Sequence, residues 1–202
     1  MNKEMTASNR LDAAPTAATE PRWGLFSATA LRPIGIVLSA SALVGLCAHI
    51  IIPLPFTPVP MSMAPFAVLL LGLVLSPGMA AAALLAYLGE GVVGLPVFAP
   101  QGPGGLVHLL GPTGGYLMAF PLGAFVIASI YRRTSKGFSA AAASALSGSV
   151  IMIGGGALWL MLITHSSLNA VLAIAVVPFL AADAVKILAA AALAKGWQRL
   201  RH

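Results

Sequence analysis

Charge is what this sequence has least of. Only 8% of its 202 residues are charged, against roughly 25% in soluble domains, while 59% are hydrophobic and the mean hydropathy is +0.95. Water is not the solvent of such a chain. Cysteine occurs once, at Cys47, which excludes an intramolecular disulfide; no CxxC or Cys/His spacing offers a metal site, so redox and zinc chemistry are not expected. A Walker A sequence is absent, so the chain itself is not expected to bind and hydrolyse ATP, and no cofactor is implied. The first 22 residues lack an apolar core of the signal-peptide kind. They read as part of a disordered cytoplasmic tail, residues 1–32, with insertion left to the first spanning helix. Acidic residues are scarce too, which leaves a net charge of +6 and a pI near 10.1. The basic residues nevertheless form no continuous stripe, so nucleic acid is not the expected partner.

What the chain does have is apolar length. Apolar stretches recur from residue 34 to residue 194, and a hydrocarbon core takes about 20 residues per helix. One membrane domain is expected over 33–197, followed by a short cytoplasmic tail, 198–202. The expected fold class is all-α, an integral membrane six-helix bundle surrounded by lipid. Its first helix is expected over 34–52, after Pro33 and before the Pro-rich run at 52–60, which cannot be helical. The second is expected over 61–75. Ser76-Pro77-Gly78 is so short a turn that the third, 79–93, must return antiparallel. Residues 94–105, dense in Gly and Pro, read as an irregular loop with helical turns at 106–110; at membrane depth such backbone must be covered by protein. The remaining helices are expected over 116–131, 140–163 and 171–193.

Of the 11 Lys and Arg, four precede the first apolar stretch, three cluster at 132–136, three close the chain, and Lys186 alone lies inside an apolar stretch. The segments 52–60, 94–112 and 164–170 hold none. Because positive residues stay cytoplasmic, this pattern implies six spans, both termini cytoplasmic and three outward loops in the inner (plasma) membrane. Small residues, including Gly35, Ser39, Ser41 and Gly45, let membrane helices approach closely. They serve either packing within the bundle or docking of another membrane protein.

Three ionisable side chains lie within the apolar zone: Glu90, Asp183 and Lys186. Each is costly there unless paired or hydrated. Asp183 and Lys186, three apart, project from one helix face and neutralise each other. The same pair offers an acceptor for N–H donors and a cation for an anionic ligand group. Glu90, one turn before Gly94, reads as interfacial or functional. His49, His108 and His165 have no ligand-spaced partner and read as hydrated or capping residues. Phe56, Phe98 and Tyr116 near the outward face are interface anchors or walls of an apolar pocket. Gly114 and Gly115 permit close approach of a ligand or of a neighbouring helix.

Four runs, in order, resemble a known family: Ile52-Pro-Leu-Pro-Phe-Thr-Pro-Val-Pro60, Gly94-Leu-Pro-Val-Phe-Ala99, Leu110-Gly-Pro-Thr-Gly-Gly-Tyr-Leu117 and Pro178-Phe-Leu-Ala-Ala-Asp-Ala-Val-Lys186. They resemble the BioY family, the biotin-specific S components of energy-coupling-factor (ECF) transporters. The resemblance implies a six-helix fold and an outward-facing biotin pocket beneath the loops after the first and third helices. Asp183 and Lys186 would line it, with Gln101, Tyr116, Phe98, Phe56, Gly114 and Gly115 as further candidates. It also implies partners, a transmembrane T component and two cytoplasmic ATPase subunits, and leaves homo-oligomerisation open. The chain departs from the family's usual pattern at Ala181-Ala182, where Pro-Gly is common, and at Ala64, where Gln is common. It also lacks the basic residue that some members carry in the loop 99–105. The rival readings are an S component for another vitamin, a membrane-embedded enzyme using Asp183, which lacks an accompanying nucleophile or metal site, and a structural scaffold.

Overall fold

The computed structural model describes residues 28–199, so most of the expected N-terminal tail and residues 200–202 lie outside the described residues. The first helix, α1 (Ala28–Ala48), starts before the expected boundary and runs through Pro33. Proline there removes a single bond, to the carbonyl four residues back, in the second turn of the helix. The expected tail boundary at 32/33 therefore falls inside a helix. The Pro-rich run folds back on itself as a ribbon: β1 (Ile51–Ile52) pairs antiparallel with β2 (Met61–Ser62), Ile51 opposite Ser62. The Met63 amide extends the pairing by donating to the Ile50 carbonyl at 3.0 Å.

Two shorter helices follow, α2 (Ala64–Val74) and α3 (Pro77–Val92), separated by the expected tight turn, with Pro77 in the first turn of α3. The Gly/Pro loop then gives the small helix α4 (Leu106–Leu110), as expected, before α5 (Gly114–Arg132) and α6 (Phe138–Thr164). The last expected helix is two. α7 (Leu168–Ala175) and α8 (Val177–Arg199) meet at Val176, because Pro178 has no N–H to donate and its ring opposes the carbonyl four residues earlier. Gln198 and Arg199, expected in the C-terminal tail, end α8.

Among the described residues four helices, α1 from Leu31, α5, α6 and α8, are long and apolar enough to cross a membrane; α2 and α3, also expected to span, are shorter. Eleven residues of α2 rise only about 17 Å, short of a hydrocarbon core of about 30 Å. That helix sits at the centre of the bundle, packed on α1, α5, α6 and α8, with Val68 and Leu69 fully buried. The outer faces are apolar: Leu38 and Leu46 on α1, Leu122 on α5, Leu158 on α6 and Leu188 on α8 are all exposed. Soluble monomers rarely expose contiguous apolar surface on that scale, and the chain is a multi-pass membrane protein.

The tightest helix pair is α5 with α6. Gly115, Ala119, Gly123 and Ile127 on α5 meet Gly148, Met152, Gly155 and Trp159 on α6, and a Cβ added at Gly148 would collide with the Ile127 side chain. Small residues at helical spacing thus bring two backbones together, which drives association where hydrophobic burial supplies little. Trp159 Nε1 locks the upper end by donating to the Gly111 carbonyl at 2.9 Å.

Candidate substrate-binding site

Helix ends converge at one end of the bundle. Ala48 ending α1, Pro65 opening α2, Tyr87 late in α3, Tyr116 early in α5 and Asp183 in the second turn of α8 border one inner cavity. Space open to the centres of water molecules amounts to about 70 Å³ there, where a single water takes about 10–15 Å³ on that measure. The other described cations, Arg32, Arg132, Arg133, Lys136, Lys195 and Arg199, lie toward the opposite ends of the same helices. Lys186 is thereby set apart from them.

Asp183 and Lys186 are 7% and 6% exposed and lie on one face of α8, as their spacing requires. Lys186 Nζ is 3.3 Å from Asp183 Oδ1, and Ser149 of α6 donates its hydroxyl to Asp183 Oδ2 at 2.7 Å. Both carboxylate oxygens are engaged, yet each keeps acceptor capacity, and the ammonium keeps donors beyond the one spent on Asp183. The pair is therefore neutral overall but still able to bind.

The break before α8 builds the adjacent wall. Phe179 N–H donates to the Val176 carbonyl, which leaves the Ala175 carbonyl without its helical donor; the Tyr116 hydroxyl supplies one at 2.6 Å. Tyr116 and Phe179 face each other with ring centroids 6.2 Å apart. Above, Val59, Pro60 and Ser62 of the ribbon and Ala99, His108 and Thr113 of the long loop form the roof. His108 Nδ1 donates to the Pro103 carbonyl at 3.1 Å, and its Nε2 lies 3.4 Å from Thr113 Oγ1. The small Ala64 also borders the cavity.

A second, outer cavity of about 370 Å³ shares Pro60, Ala99, His108 and Thr113 with the inner one and adds Gln101 and the ribbon prolines. The two form a polar-headed inner chamber under a wider vestibule. Of the residues singled out from sequence, Asp183, Lys186 and Tyr116 meet in the inner chamber and Gln101 lies in the vestibule. Phe56 lines neither and is 61% exposed at the ribbon tip. Phe98 stands behind the wall, stacked on His108 at 5.1 Å and edge-on to Tyr87 at 5.4 Å. Gly114 and Gly115 line neither cavity: a Cβ at Gly114 would strike the Leu109 carbonyl, and one at Gly115 the Trp159 side chain. Their bare Cα atoms admit a neighbouring chain segment.

The small-residue stripe of α1 splits in the same way. Gly35 and Ser39 are exposed, whereas Ser41 and Gly45 turn inward, Ser41 donating to Glu90 at 2.5 Å and Gly45 meeting Val97. Glu90 is thus satisfied by a helix neighbour and does not border the inner cavity. Sequence reasoning missed Tyr87, Ser149, Thr113 and Phe179, and set His108 aside. Nothing in their spacing marks them, since each acts across elements.

A model of the BioY family matches residues 17–202. The chain belongs to the BioY family. Among BioY relatives, the probable biotin transporter BioY of Pyrococcus horikoshii is 36% identical over 141 residues, covering 70% of this chain and 82% of the relative. The biotin transporter BioY of Thermotoga maritima is 37% identical over 149 residues, 74% of this chain and 86% of that one. A crystal structure at 2.1 Å of the S-component for biotin from an ECF-type ABC transporter has the same fold, with a TM-score of 0.78 and 23% identity over 87% of this chain and 95% of that one.

Proposed function

We propose that the chain is a biotin-binding S component, which takes up biotin across the plasma membrane together with an ECF module made of a T component and two cytoplasmic ATPase subunits. It binds substrate and is not an enzyme. The observation that carries the reading is the buried Asp183–Lys186 pair in the wall of a cavity that Tyr116, Phe179, Leu117 and Met152 also line. A ligand with a compact polar ring and an apolar body fits such a wall, because burial favours the apolar part only when every polar group is paired. Biotin has that shape: its cyclic urea meets Asp183 and Lys186, its thiophane packs on the aromatic rings, and its acid tail points to the vestibule of His108, Thr113 and Gln101. The test is calorimetric titration of the purified protein in detergent with biotin, thiamine and riboflavin. Selective binding of biotin, weakened at least roughly ten-fold in Lys186→Ala through loss of a charge-assisted hydrogen bond, is the expected result; binding of thiamine or riboflavin in its place would overturn the assignment.

The arrangement in the membrane that supports this role has six crossings, by α1, α2, α3, α5, α6 and α8, with both termini cytoplasmic. α2 and α3 are short, so the chain flanking them completes their crossings, and α2 itself is enclosed by α1, α5, α6 and α8. Basic residues gathered at the end away from the cavity support an outward-facing site. In a Cys47→Ala background, Gln101→Cys is expected to react in intact cells with a membrane-impermeant maleimide, and Ser135→Cys only after lysis. The reverse pattern would invert the topology.

A further inference from the structure

One residue bordering the inner cavity carries a hydroxyl with no partner among the described residues. Tyr87 is fully buried, and its hydroxyl accepts and donates no hydrogen bond among the described residues. The other two tyrosines differ: Tyr116 donates to the Ala175 carbonyl, and Tyr131 donates to the Lys136 carbonyl while accepting from Gln198. Buried hydroxyls are nearly always hydrogen-bonded, because a desolvated donor left unpaired is unfavourable. The Tyr87 ring is held in place edge-on by Phe98, whose own ring presses on the Cα of Gly91 one turn later on α3. Its position is therefore set by packing and not by its hydroxyl.

Tyr87 lines the inner cavity with Asp183 and Lys186 and does not reach the vestibule. There the polar capacity is unequal: Asp183 already accepts from Ser149 and Lys186, and the Tyr116 hydroxyl is committed to Ala175. The Tyr87 hydroxyl keeps both its donor and its acceptor sites. A cyclic urea presents one strong acceptor oxygen flanked by two N–H donors, more than the ion pair alone serves well.

We propose that Tyr87 is a specificity-determining residue whose hydroxyl hydrogen-bonds the polar ring of the bound molecule beside Asp183 and Lys186. This assignment rests on the biotin reading and deepens it. A hydroxyl that only a ligand satisfies discriminates against rings lacking the matching polar atom, since binding those leaves it unpaired.

The experiment compares wild type and Tyr87→Phe by calorimetry against biotin and biotinamide, with thermal unfolding of the ligand-free proteins. Affinity is expected to fall roughly ten-fold in the variant, by the same factor for both ligands, because Tyr87 meets the ring and not the tail. The ligand-free melting temperature is expected to stay level or rise, since the variant buries one unpaired hydroxyl fewer. Unchanged affinity in Tyr87→Phe, with wild type still binding biotin, overturns the assignment and leaves the biotin reading standing. A lower ligand-free melting temperature overturns it as well, by showing that the hydroxyl is served within the protein. Wild type that binds no biotin overturns both.

Discussion

Replacing Asp183 by Asn is expected to weaken biotin binding by roughly a hundred-fold or more and to lower stability by about 3–5 kcal/mol. Two effects act together. The amide no longer offers a second acceptor oxygen to ring N–H groups, and Lys186, 6% exposed, is left as a buried charge without its partner. Calorimetry with biotin and thermal unfolding in detergent read the two effects separately. The double variant Asp183→Asn with Lys186→Met distinguishes them further. Removing both charges restores much of the stability, because a buried pair replaced by neutral groups of similar volume is often nearly neutral. Binding is not restored, because the ligand's partners are gone. Biotin affinity within three-fold of wild type in the single variant would remove Asp183 from the site.

The second large effect is expected at Gly114→Ala. An added Cβ would strike the Leu109 carbonyl, which is backbone and has no rotamer through which to escape. The corner between α4 and α5 must then open. Overpacking of this kind costs about 1–3 kcal/mol, which corresponds to a fall of roughly 2–12 °C in melting temperature for a chain of this size. Because His108 and Thr113 flank that corner and roof the inner cavity, biotin affinity is expected to fall with it. Gly154→Ala is the control: it lies on the exposed face of α6 with nothing within 4 Å of its added Cβ. A melting temperature for Gly114→Ala equal to that of the control would show that the corner yields freely.

Several features are legible in the sequence because they are local. Hydropathy summed over some twenty residues marks a span wherever it lies, so composition alone locates α1, α5, α6 and the last helical segment. The Asp183–Lys186 contact is legible too, since residues three apart on a helix share a face whatever packs against it. The same local rules err where a single residue outweighs the average. Pro178 splits the expected last helix at Val176, and α2 shortens to 11 residues once the ribbon takes up Met61 and Ser62.

Sequence by itself determined the solvent, the edge placement of the cations and the presence of an intramembrane ion pair. Each of these is a sum or a spacing along one stretch of chain. Tertiary structure alone decided which side chains face the cavity. It set Ser149 on the far oxygen of Asp183, put Tyr116 on the Ala175 carbonyl that Phe179 N–H leaves unserved, and buried the Tyr87 hydroxyl without a partner among the described residues. It also turned Ser41 and Gly45 inward, left Phe56 at the ribbon tip, and gave Gly114 and Gly115 to helix packing. These outcomes depend on the rotation of each helix about its axis and on how closely neighbours approach, and both are settled by contacts between residues tens of positions apart.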